Sequence, residues 1–189
     1  MDIIGGRRYT YGKMAADIHR MANFLSRELG IGRGDRVACL SFNRAEYIIL
    51  FFALGRLGAI LVPLNFRLAP AEFVYFLEDA APKAIFYDRD HRDRVNAFKH
   101  KVALDHYVCF DEDDAPGSTP VKSWQTLPAD QPPAVEIEPD DPQLIIYTSG
   151  TTGLPKGVIL THGMLTWNAV NTQLGWDLRS DDKTILHAA

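Results

Sequence analysis

The chain has no long uninterrupted apolar run, only two cysteines and little excess charge, and each shortage removes a class of protein. Its most apolar stretch, Tyr47 to Leu64, is interrupted by Arg56 and broken at Pro63, which suits a helix, a turn and a strand better than a membrane span. The N-terminal MDIIGGRRYTYG has no apolar core behind its basic residues, so it does not read as a secretory signal. Cys39 and Cys109 sit in the strand-like runs VACLSF and YVCFD with no ligand-like spacing, and are expected as buried thiols in a reducing, cytoplasmic setting. A net charge of −4 argues against a general nucleic-acid or anionic-membrane binder. Two glycine-loop patterns are missing as well: G-x-x-x-x-G-K-[ST] and G-x-G-x-x-G, the marks of Walker and Rossmann phosphate sites.

What is present is a different glycine loop. Residues 147–158 read YTSGTTGLPKGV. Ser149, Thr151 and Thr152 bring hydroxyl donors, and Lys156 brings a mobile cation behind Pro155. Gly150, Gly153 and Gly157 are expected to take positive φ and let backbone N–H groups approach an anion. The apolar, β-favouring runs Leu144–Tyr147 and Val158–Leu160 flank it, so the pattern is strand, loop, strand. The bland alternative is a hairpin turn without a ligand.

Residues 1–110 read as an α/β scaffold with a mostly parallel sheet. Thr10 caps a helix whose apolar positions run from Met14 to Leu29, ending at Gly30. A strand at Val37–Phe42 leads to a helix over 44–57, capped by Asn43 and closed by Gly58, and then to a strand at Ala59–Val62. Pro70 starts a helix with Glu72 in its first turn and an apolar stripe of Phe73, Phe76 and Leu77. A strand at Lys83–Tyr87, a charged surface helix over 90–101 and a strand at His106–Phe110 complete the scaffold. Asn65 and Arg67 read as turn residues, not catalytic ones.

Residues 111–142 read as an acidic and proline-rich connector, its run Asp111–Asp114 a solvated loop more than a metal site. Within it Val121–Leu127, with Trp124, is expected to pack on the surface. Residues 143–189 hold the loop hairpin, a helix over 163–175 capped by Thr161 or His162, and the start of a strand at Thr184–His187. His162 reads as a cap or packing residue, against a functional reading in which it stands near bound phosphates.

YTSGTTGLPKGV, with the earlier YTYGKMAADIHRMANFL, GDRVA and LGRLGAILVPLN segments, resembles the adenylate-forming superfamily: acyl-CoA synthetases, peptide-synthetase adenylation domains and beetle luciferases. The resemblance implies that Thr148, Ser149, Gly150, Thr151, Thr152, Gly153 and Lys156 hold the β- and γ-phosphates of MgATP while a carboxylate attacks the α-phosphorus. An acyl-adenylate and pyrophosphate result, and the thiol of CoA then takes the acyl group. ATP, Mg²⁺, CoA and a small-molecule carboxylic acid, fatty or aryl, are thereby implied as substrates, and fatty acid metabolism as the setting. No catalytic residue and no metal ligand is assigned within the chain. By pattern the resemblance covers about the first third of a family member. The expected fold is thus an incomplete N-terminal part of the adenylate-forming enzyme, with the remaining N-terminal subdomains and the C-terminal domain absent. The isolated chain is expected to be inactive, and apolar surface left bare is expected to favour a homodimer. YTYG and GAILVPLN favour an acyl-CoA synthetase over a peptide-synthetase domain, while a non-catalytic nucleotide-binding or phosphate-binding module and a structural remnant stay open.

Overall fold

The computed structural model describes residues 8–111, 124–148 and 154–182. Its elements in order are α1 (Tyr11–Arg27), β1 (Arg36–Leu40), α2 (Ala45–Leu57), β2 (Ile60–Pro63), α3 (Pro70–Ala80), β3 (Ala84–Tyr87), α4 (Arg92–Phe98), β4 (His106–Cys109), β5 (Pro142–Thr148), β6 (Lys156–Thr161) and α5 (His162–Gly175). They form one six-stranded sheet in the order β4-β3-β1-β2-β5-β6. Among the described strands β1 to β5 pair in parallel with one another, and β6 alone returns antiparallel, against β5. The mostly parallel α/β sheet expected from the sequence is therefore what the chain builds.

The local reasons are legible residue by residue. Thr10 is extended, and its hydroxyl accepts from the Lys13 amide at 3.1 Å, starting α1. Gly58 closes α2 in the left-handed region at φ 65°, where a side chain would be strained. Pro70 opens α3, and the Glu72 carboxylate accepts from the Ala69 amide at 2.7 Å. Asn65 is a turn residue, its side chain accepting from the Arg67 amide. One expected cap differs: Arg44, not Asn43, stands at the start of α2, and it makes no capping hydrogen bond. Its guanidinium instead bridges Glu46 and Asp111, both at 2.8 Å.

Because the inner strands are covered on both faces, alternate residues enter two separate cores. Val37, Cys39, Leu61 and Phe86 meet α1 and α2 on one side. Ala38, Leu40, Val62 and Ile85 meet α3 and α4 on the other. Both cysteines are buried free thiols, and burial raises the pKa of each. Trp124 corrects an expectation: it is 2% exposed and belongs to the α1/α2 core, not to the surface. The segment after it lies along α1, where Arg20 donates to the Leu127 carbonyl and Asn23 to the Asp130 side chain. The expected surface helix over 90–101 is shorter and docked, with Val95 and Phe98 buried against α3. Asp111 is also no free loop residue, since it is paired with Arg44. The expected strand at Thr184–His187 lies outside the described residues.

Candidate functional site

In an open α/β sheet, ligands gather beyond the carboxyl ends of the strands, above all where successive connections leave in opposite directions. Here β1 is followed by β2 on one side, and the chain then crosses to β3 on the other. The crevice between β1 and β3 is nevertheless closed by a carboxylate. Asp88 accepts from the Ser41 hydroxyl at 3.1 Å and the Phe42 amide at 2.8 Å through Oδ2. Through Oδ1 it pairs with the His91 amide at 3.1 Å and with His91 Nδ1 at 2.5 Å. The Phe42 ring packs at a tilt of 57° against His91, centroids 4.7 Å apart. Asp88 is 4% exposed and each of its oxygens has two partners, so this end of the sheet is structural.

The other opening at the same edge follows β5. Since β5 runs parallel to β2, residue 148 leaves the sheet at its carboxyl edge. Thr148 and Lys156 are register partners at the mouth of the β5–β6 hairpin, and both side chains are exposed. Of the residues singled out by sequence, these two are brought together. Ser149, Gly150, Thr151, Thr152 and Gly153 lie outside the described residues.

Gly157 is needed for a reason other than the expected one. Among the described glycines, positive φ occurs only at Gly30, Gly34 and Gly58. At Gly157 a Cβ would come 2.9 Å from Ile145 Cγ2 and 3.4 Å from the ring of Tyr147, its cross-strand partner. The missing side chain leaves room for Ile145, with the Tyr147 ring alongside.

From there the Tyr147 ring meets Phe76 of α3 at a centroid distance of 4.6 Å, and its hydroxyl donates to Asp79 Oδ2 at 2.5 Å. Burial, reinforced by the Asp79 carboxylate, raises the Tyr147 pKa, so the phenol stays a donor at neutral pH. On the far side of the loop the Tyr75 hydroxyl donates to the Pro155 carbonyl at 3.0 Å. These α3 contacts were not singled out by sequence reasoning. The one available signal was that Tyr75 and Asp79 stand four apart on a helix, on the same face.

His162 falls at the other end. β6 returns antiparallel, so Thr161 pairs with Pro142, and six residues of strand separate that pair from Thr148, about 20 Å at the usual rise. His162 therefore stands away from the mouth framed by Thr148 and Lys156. The cap is Thr161, whose hydroxyl accepts from the Met164 amide at 3.3 Å. The His162 amide donates to the Asp141 carbonyl and the Gly163 amide to the Pro139 carbonyl, so these α5 donors are already used. His162 Nε2 is buried with no hydrogen-bond partner, and burial lowers its pKa against the opposing pull of Asp141. A bulge at Gln143 directs that residue toward α2, where a Cβ on Gly55 would lie 2.8 Å from Gln143 Nε2 and 3.6 Å from His162 Cε1.

Two strands at a carboxyl sheet edge, with Thr148 and Lys156 paired across the mouth between them, match the strand–loop–strand order expected from YTSGTTGLPKGV. A family model described as AMP-binding enzyme matches residues 2–189. The chain belongs to that family. Feruloyl-CoA synthase of Amycolatopsis sp is 39% identical over 97% of this chain and 34% of its own length. The long-chain-fatty-acid–CoA ligase FadD13 of Mycobacterium tuberculosis is 36% identical over 95% of the chain and 35% of its own. The solved structure of ATP-bound MatB from Rhodopseudomonas palustris superposes with a TM-score of 0.78 at 31% identity, covering 94% of this chain and 34% of that one. The chain thus spans about a third of the length of these relatives. As an AMP-binding enzyme by family, it carries the mostly parallel sheet and flanking helices of its structural relatives.

Among the described residues, no group of three His, Cys, Asp or Glu could hold a metal ion. No described helix is long and apolar enough to cross a membrane.

Proposed function

We propose that these residues supply the polyphosphate clamp of an ATP-dependent carboxylic acid–CoA ligase. Thr148, Ser149, Gly150, Thr151, Thr152, Gly153 and Lys156 hold the β- and γ-phosphates. The observation that carries this reading is the pairing of Thr148 with Lys156 across a hairpin mouth at the carboxyl edge of the sheet. A triphosphate carries about four negative charges, which repel an incoming carboxylate, and in-line displacement at the α-phosphorus needs charge stabilised on the leaving pyrophosphate. Backbone N–H groups, hydroxyls and one lysine meet that need without a covalent role for the protein. Mg²⁺ enters as part of MgATP, held chiefly by phosphate oxygens and water. The substrate is a small-molecule carboxylic acid, fatty or aryl, and CoA takes the acyl group in the second step. The chain works in the cytoplasm.

Positioning adenine, ribose and carboxylate together takes more than a phosphate loop, so the 189-residue chain turns over poorly by itself. Calorimetry with pyrophosphate and with MgATP tests the clamp: binding of both is expected, and binding of neither would contradict it. A carboxylate-dependent ATP–pyrophosphate exchange assay is expected to stay near background, and robust exchange would overturn the prediction of poor turnover.

The same chain self-associates through β6 and α5. Trp167 is 67% exposed, Leu174 75% and Trp176 76%, and none of the α5 residues is buried. Light scattering across a concentration series is expected to show growth beyond the monomer, and a strict monomer would refute it.

A further inference from the structure

α3 touches both shoulders of the loop. Tyr147 on the incoming strand is held from below by the Phe76 ring and at its tip by Asp79. Pro155 on the outgoing side is held by the Tyr75 hydroxyl. Tyr75 and Asp79 are one turn apart on one helix, so a single rigid element fixes the two ends of a stretch that must keep several donors converged on one anion. The Pro155 carbonyl belongs to the peptide unit whose nitrogen is the Lys156 amide, and a bond to it sets the orientation of that plane and the direction in which the Lys156 side chain departs. Proline removes the remaining φ freedom at the same point. Gly157 stands beside this contact: a Cβ there would strike Ile145 Cγ2 at 2.9 Å and touch the Tyr147 ring at 3.4 Å.

We infer that Tyr75, Asp79 and Tyr147 are positioning residues for the polyphosphate loop: through two hydrogen bonds α3 sets the separation of the loop shoulders and the aim of Lys156, and so sets affinity for pyrophosphate. The inference rests on the phosphate-clamp reading above. It adds that affinity is determined partly by a helix that touches no phosphate. A bond to a preorganised loop contributes to binding only what it saves in ordering the loop, so removal of one hydroxyl is a graded loss.

The experiment compares the wild-type chain with Tyr75→Phe, Tyr147→Phe, Asp79→Ala and the Tyr147→Phe/Asp79→Ala double variant, using inorganic pyrophosphate as the probe. Thr10→Ala, which removes the cap of α1, is the control for lost stability without a change near the loop. Each single variant is expected to weaken pyrophosphate binding by about three- to tenfold, the range of one lost hydrogen bond. Thr10→Ala is expected to bind as wild type does although its melting temperature falls. The double variant should lose no more than the worse of its two parents, because both remove the same bond. Amide hydrogen exchange at Thr148 and Lys156 should quicken in the α3 variants and stay unchanged in Thr10→Ala. If wild type binds and the α3 variants bind equally well, the positioning role is overturned while the clamp stands. If wild type fails to bind pyrophosphate at all, the clamp is wrong and this inference falls with it. If Thr10→Ala loses as much affinity as Tyr75→Phe, the effect is one of general stability and the specific role is refuted.

Discussion

β1 and β6 both carry apolar β-favouring residues, yet beyond Arg36 every residue of β1 is buried and no residue of β6 is. β1 has a parallel neighbour on each side and helices over both faces. Among the described residues β6 is the sheet edge, paired only with β5, and α5 beside it buries none of its residues. The two regions therefore hold together by different means. β1 through β4 stand on two interdigitated cores, whereas the hairpin stands on its ladder, on the bulge at Gln143 and on the contacts from α3. Apolar sequence alone does not decide burial. What decides it is whether a second layer of chain arrives to cover the face.

The sharpest way to break this contrast is to truncate an aromatic in each region. Phe86→Ala, at a fully buried site, should destabilise the chain by about 3–5 kcal/mol in urea unfolding. Trp167→Ala, on bare α5, should change stability by no more than about 0.5 kcal/mol while reducing self-association. Equal losses would mean that the α5 face is covered in solution. Next in size is Lys156→Ala. It should weaken pyrophosphate binding by at least about tenfold, consistent with loss of a charged hydrogen bond at about 1.5–3 kcal/mol, with an unchanged melting temperature. An unchanged affinity would remove the lysine from the clamp.

Two caps give a smaller, paired test. Thr10→Ala should cost about 1 kcal/mol of global stability, because α1 is part of the core. Thr161→Ala should leave the global transition in place and quicken amide exchange along α5 only. The smallest effect is one of pH. Burial depresses the pKa of His162 in the folded chain below its ordinary value near 6.5, so the unfolded chain binds the proton first. Its contribution is complete above about pH 6.5 and is lost as pH falls through the depressed folded value. Exchange at the β6–α5 junction should rise on acidification, and His162→Gln should flatten that response. A junction that tightens in acid would reverse the sign and contradict the burial account.

Much of the scaffold is legible from local chemistry, since a threonine cap, an opening proline and a glycine in the left-handed region act within a few residues. The strand–loop–strand order was legible for the same reason, in the two β-favouring runs that flank the loop. What the sequence did not disclose depends on contacts between distant segments. Trp124 looked like a surface aromatic in a polar connector, and only the return of that segment along α1 buries it. Gly157 reads as a flexible loop residue, and its role appears only once β5 lies opposite and brings Ile145 against it. His162 stood a few residues beyond the loop in sequence, but an antiparallel return carries it to the opposite end of the hairpin. Tyr75 and Asp79 carried no mark at all beyond their helical spacing.

The central claim is that the anion site lies at the β5–β6 mouth and not at the closed crevice around Asp88. It is tested most directly by titrating pyrophosphate into the isotopically labelled chain and following backbone amide shifts. Saturable shifts are expected from Thr148 through Gly157, with the amides of Phe42 and His91 undisturbed. Shifts centred on Phe42, Asp88 and His91, or none anywhere along the hairpin, would contradict it.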